Sequence, residues 1–150
     1  MSEYRAPIRD MLFVLNELAE LDGIAQMPGC EEASADVVTA VLEEASRFAE
    51  EVLSPLNRVG DREGARFQDG QVTMPKGFKE AYKLFAESGW TALGSESEWG
   101  GQGLPILVAT PVTEMWKSAN HAFSLCPLLT GGAIDALVLT GSDKLKATYL

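Results

Sequence analysis

Apolar residues at helical spacing fill most of this chain, and that periodicity narrows the possible folds more than any other feature. From Ser34 to Leu53, the residues Val38, Leu42, Ala45, Ala49 and Leu53 form one row at steps of three and four. Val37, Val41, Phe48 and Val52 lie beside it. Ser34 can cap this helix, and Asp36 puts negative charge near its positive end. Glu43, Glu44, Glu50 and Glu51 fall on the remaining face, which reads as solvated, with Glu43 and Arg47 spaced to pair. Pro55 is expected to end or kink the helix, because it lacks an N–H and its ring crowds the preceding turn.

The same pattern recurs along the chain. After an extended arm over residues 1–6, Pro7 opens a helix carrying Ile8, Met11, Leu12, Leu15 and Ala19, widened by Phe13 and Val14, that ends near Gly23. Residues 23–33 lack a period and read as a linker. Phe78, Ala81, Tyr82 and Phe85 predict a helix opened by Thr73 and Pro75 and closed by a left-handed Gly89. Val108, Val112, Met115, Trp116 and Ala119 predict another from Leu104 to about Asn120, kinked or divided at Pro111. Ser124 and Pro127 can start a helix bearing Leu128, Leu129, Ile134, Leu137 and Val138; Gly141 ends it and Ser142 caps the next. Asp69-Gly70, between Phe67 and Val72, is a two-residue turn signal for a small hairpin. No alternating run competes, so the fold class is all-α, a helical bundle.

Charge and cysteines limit the partners. The chain has 150 residues and a formal net charge of −10, which disfavours nucleic acid and anionic membrane surfaces. No apolar run reads as a membrane span, and the first residues lack the apolar core of a signal peptide. Cys30 and Cys126 match no metal or redox spacing, so free thiols in the cytoplasm are expected.

Catalytic groups are sparse. His121 is the single histidine and has no second base or ligand near it in sequence, so a structural or surface role is expected. Neither catalytic nor metal-binding residues can be assigned. Glu114 could be a salt-bridged interior group or an exposed one. Phe123 to Ile134 is apolar with small residues among large ones; it could wall a slot for an apolar ligand, although core packing is the commoner outcome. Gly131-Gly132 weakens its helix by roughly 1 kcal/mol per glycine against alanine, which suggests close approach by a helix or a ligand. The glycine-rich stretch from Gly89 to Pro105, with Trp90 and Trp99, reads as an ordered corner packed onto the body of the protein. Gly100-Gly101-Gln102-Gly103 follows no predicted strand, as a nucleotide-binding glycine loop would.

Within that corner, Glu98-Trp99-Gly100-Gly101-Gln102-Gly103-Leu104-Pro105 resembles the E-Y-G-G-Q-G-L-P signature of the acyl-CoA dehydrogenase family. Phe67 to Val72, Pro75 to Tyr82, Gly89-Trp90, Glu114, Ala119-Asn120, Ala122 to Ser124, Leu129 to Ala133 and Leu145 to Leu150 continue the resemblance in order. Tyr4 to Met11 with Phe13 to Leu15 resembles the extra N-terminal helix of a subgroup that includes the 3-methylmercaptopropionyl-CoA enzymes. The loop departs from the pattern in lacking the usual proline before its acidic residue and in having Trp99 where tyrosine is common.

The resemblance implies an arm and helix over residues 1–33 and the family's N-terminal helical domain over 34–150. It implies a chain truncated before the flavin-binding middle domain and the helical domain that supplies a glutamate base. It further implies FAD in the parent enzyme but none bound to this chain alone, an acyl-CoA substrate, a homo-oligomer, and an acyl pocket lined here by Leu125, Leu128 and Leu129. A CoA ester would need basic residues that this acidic chain barely offers. A second reading from another class is a non-catalytic helical module that binds acyl groups or partners and self-associates.

Overall fold

A computed structural model describes residues 4–150. The part of the expected arm at residues 1–3 lies outside the described residues. Eight α-helices and one short hairpin are present among those described. Helix α1, Ile8–Phe13, continues through a wider π-helical turn, Val14–Leu18. Helix α2 is Leu21–Ala25, α3 is Ala35–Phe48 and α4 is Ser54–Glu63. The hairpin pairs β1, Arg66–Gln68, with β2, Gln71–Thr73. Helices α5, Phe78–Glu87, α6, Ile106–Ala119, α7, His121–Thr140, and α8, Asp143–Tyr149, complete the chain. This is the expected helical bundle.

Helix α3 forms the spine. Ser34 accepts the Val37 N–H at its start, as expected of the cap. Its row Val38, Leu42, Ala45, Ala49 and Leu53 is buried, facing Val108, Val112, Met115 and Trp116 of α6. Phe48 meets Phe85, Trp90 and Trp116 with ring centroids 5.9, 6.4 and 5.5 Å away. Such tilted and edge-on pairs add about 0.5–1.5 kcal/mol each beyond the area they bury.

Pro55 does not end the spine. Residues 49–53 widen into a π-helical turn and α4 follows directly, with Pro55 in its first turn. A wider turn gives the proline ring room against the carbonyls behind it, and proline's missing N–H is tolerated at a helix start. Asn120, 1% exposed, reaches this turn from the α6–α7 corner. Its Nδ2 donates to Leu53 O at 3.2 Å, and its Oδ1 accepts the Phe123 N–H at 3.0 Å, capping α7. The last helix-starting expectation for this region therefore shifts: α7 begins at His121, and Ser124 and Pro127 lie inside it. Pro111 likewise sits within an undivided α6.

Other expectations need correction. The first helix breaks at Ala19 and Glu20, which has a left-handed φ of 52°, and Gly23 lies within α2 instead of ending a helix. Phe13 and Val14 are exposed, so they do not widen the buried stripe. Helix α5 starts at Phe78 behind a left-handed Gly77, later than Thr73 and Pro75 suggest. Arg47 pairs with Glu44, 2.7 Å away, and not with Glu43. Glu50 does not belong to a solvated face: it accepts from Ala6 N–H, Ser46 and Arg5 at 3.0, 2.9 and 2.6 Å, fastening the N-terminal arm. Helix α7, with Asp135 its one aspartate, glutamate, lysine or arginine, is long and apolar enough by length and composition to cross a membrane. Its proline, threonines and glycines hide that in a search for unbroken apolar runs.

Two outcomes follow. Asn120→Ala removes the α7 cap and leaves Leu53 O without its partner, so urea unfolding should show a loss of about 2–4 kcal/mol. Desolvation by burial pushes the Glu50 carboxyl up, but the bonds from Ala6, Ser46 and Arg5 and the Arg5 charge together hold it below its ordinary value. A depressed folded value means stability that is present above the ordinary carboxyl pKa of about 4.3 and lost as pH falls below it. Between about pH 5 and 3 the melting temperature should therefore fall more steeply for the wild-type chain than for Glu50→Gln.

Candidate functional site

The site is built on α7, which the fold anchors at one end and leaves open along the rest. Phe123 and Ser124 are buried beside the Asn120 cap, whereas beyond them the helix is half-exposed or exposed throughout. The expected core role of Phe123 to Ile134 thus holds only at its start. A groove of about 720 Å³ runs between α6 and α7. Phe85, Trp90 and Trp116 line it beneath Ser124, Leu128 and Gly131. The indoles of Trp90 and Trp116 lie 5.2 Å apart at a steep angle. Glu114, Lys117 and Asp135 lie among its lining, and Glu114 is exposed, which resolves its two possible environments.

Of the three leucines expected in an acyl pocket, Leu128 lines this groove. Leu125 and Leu129 stand on the adjoining stripe of α7, 46% and 74% exposed. All three fall within one sector of the helix, because positions i, i+3 and i+4 share a face. Gly131 and Gly132 extend that surface, and a Cβ at either would meet nothing within 4 Å. Among the described residues, no element makes the close approach that the glycine pair suggests.

The glycine-rich corner has a different job. Gly89 takes the left-handed conformation expected of it, with φ 78°. The amides of Gly101, Gln102, Gly103 and Leu104 donate to the carbonyls of Glu96, Ala92, Ser95 and Leu93. Gln102 Nε2 adds a bond to Gly89 O at 3.0 Å. Any Cβ at Gly101 would collide with Ser95's carbonyl. The loop amides are therefore committed internally and offer no phosphate cradle. The amides of Gly101 to Leu104 are thus not free to hold the phosphates of a flavin cofactor.

His121 is exposed, and no group of three or more His, Cys, Asp or Glu suited to a metal occurs among the described residues. The sequence marks Tyr82 only as part of an apolar stripe. In the structure, burial and then the Cys126 thiol push its phenol pKa up. The role of Asn120 is visible only in the structure, although an asparagine directly before an apolar helical run is a sequence signal for a cap.

Comparison with known proteins places this surface in context. Residues 36–150 match the family described as acyl-CoA dehydrogenase, N-terminal domain. The 3-methylmercaptopropionyl-CoA dehydrogenase of Ruegeria pomeroyi is 46% identical over 147 residues, covering 98% of this chain and 25% of that protein. A broad-specificity linear acyl-CoA dehydrogenase of Mycobacterium tuberculosis is 30% identical over 150 residues, covering 97% of this chain and 24% of that protein. The chain thus spans about a quarter of the length of these relatives.

The contrast between the glycines is testable by thermal or urea unfolding. Gly131→Ala or Gly132→Ala fills open space on a helix and should stabilise the chain by about 1 kcal/mol each. Gly101→Ala, which meets backbone, should cost about 1–3 kcal/mol or more.

Proposed function

Because this chain belongs to the acyl-CoA dehydrogenase family, as its N-terminal domain, we propose that it supplies one wall of the acyl-chain slot in an FAD-dependent enzyme that introduces an α,β double bond into acyl-CoA thioesters. The observation that carries this reading is α7: an apolar helix held rigidly at Asn120 and left uncovered over an aromatic-floored groove. Leu125, Leu128 and Leu129 carry the wall. They bind and orient the chain of the substrate and keep water from it, a role that burial of apolar area suits. FAD supplies the hydride acceptor in the whole protein, and the proton-abstracting base also comes from outside these residues. We divide the chain into an N-terminal arm and helix, 1–33, and the domain proper, 34–150, which is inactive alone. The name of the Ruegeria relative favours a short methylthio-acyl substrate. Two free thiols fit a cytoplasmic protein, and the whole protein is proposed to be a homo-oligomer by analogy with its family.

The test compares flavin bleaching by a graded series of acyl-CoAs, with 3-methylmercaptopropionyl-CoA among them, in the full-length enzyme and its Leu128→Trp variant. The variant should lose the longest substrates first, by about tenfold or more in kcat/KM, since one methylene in an apolar pocket is worth about 10–200-fold. An unchanged chain-length profile would remove Leu128 from the slot. The 1–150 chain alone should be colourless after purification, and tight acyl-CoA binding by it would favour the stand-alone acyl-binding module.

A further inference from the structure

Helix α7 borders a second groove on its opposite side, and this one goes beyond the acyl-slot reading. It has a volume of about 850 Å³, within the roughly 300–1,000 Å³ of small-molecule pockets. It lies between the hairpin, the start of α5 and the first turns of α7, and shares no lining residue with the α6–α7 groove. Met74, Phe78, Tyr82 and Phe123 form its apolar interior. The rings are mutually braced: Phe123 lies 6.3 Å from both Phe78 and Tyr82. Phe78 and Phe123 are 7% and 4% exposed, so the floor is fixed by the core.

The lining of this groove is also charged. Lys76 and Lys79 line it, against a single acid, Glu80. In a chain of net charge −10 with twelve bases and twenty-two acids, a cavity lined by more cations than anions is a local reversal of sign. Neither lysine appears in an ion pair among those formed by the described residues, whereas Arg5, Arg47 and Lys83 do. An uncharged apolar ligand would make no use of the two ammonium groups, and a cationic one would be repelled by them. We propose that this groove binds an amphipathic anion of the fatty carboxylate class, its chain over Phe78, Tyr82 and Phe123 and its carboxylate between Lys76 and Lys79.

Cys126 gives the test a local readout, because it is exposed and lines this groove, while half-buried Cys30 lies elsewhere and serves as an internal control. The intact protein is titrated with dodecanoate below its micelle concentration, and alkylation of each cysteine by iodoacetamide is followed by mass spectrometry. Dodecanoate should bind one per chain and slow alkylation of Cys126 without slowing that of Cys30. Dodecanol and dodecyltrimethylammonium should bind at least about tenfold more weakly, as should dodecanoate to the Lys76→Glu/Lys79→Glu variant, since loss of a charge-assisted contact is worth about that factor. Leu128→Trp, which tests the other groove, should leave dodecanoate binding unchanged. Equal binding of dodecanol, no effect of the lysine variant, an unprotected Cys126 or loss of binding in Leu128→Trp would each overturn the proposal. Protection of Cys126 only by an apolar peptide or a second copy of the chain would do the same.

Discussion

The fold depends on one buried amide. Asn120 ties the corner between α6 and α7 to the π-helical turn in front of Pro55, with one hydrogen bond in each direction. Proline in a helix removes a donor and crowds the carbonyls of the preceding turn. A π-helical turn relieves the crowding, and a carbonyl in this disturbed stretch needs a donor from elsewhere when water cannot reach it. Asn120 is that donor. Since its other side-chain atom caps α7, the same residue that satisfies the spine also fixes where α7 begins and in what direction it leaves.

This coupling explains why the helices were legible in the sequence and their junctions were not. The row from Val38 to Leu53 is buried as its spacing implies, and so are Phe78, Ala81 and Phe85 of α5, because one apolar face per helix is a local property; Tyr82, at the edge of that stripe, is exposed. The Asp69-Gly70 hairpin was legible for the same reason, both residues adopting positive φ at 51° and 77°. At Pro55 the helix neither stops nor runs on unchanged: sequence gives the local cost of a proline, but not the π-helical turn and the distant Asn120 that accommodate it. Glu50 is a similar case: its position marks an outer face, and only the path of residues 4–6 back across the spine makes it a partner for Ala6 and Arg5.

The site was legible in part. The resemblance pointed to α7, and Leu128 lines a groove there. What spacing could not reveal is that α7 has three different exposures. Phe123 and Ser124 are core, one stripe lines the α6–α7 groove, and another borders the groove at α5. Composition suggests a buried helix for a run this apolar, because burial is what apolar residues ordinarily obtain.

That exposure is also the best argument that α7 is shaped for contact. Gly131 and Gly132 cost the helix stability, and nothing among the described residues approaches them closely. Leu125, Leu128, Leu129 and Leu139 leave a run of apolar surface along the same helix, and such surfaces on folded proteins mark partners or ligands. A helix tuned only for its own stability would carry alanine at the glycine positions and polar residues at the leucines. Both choices run against local stability in the same direction and on the same element, and the Asn120 anchor holds that element in place without burying it. Taken together, the anchor, the glycines and the leucines describe a rigid wall whose opposite side is meant to be filled.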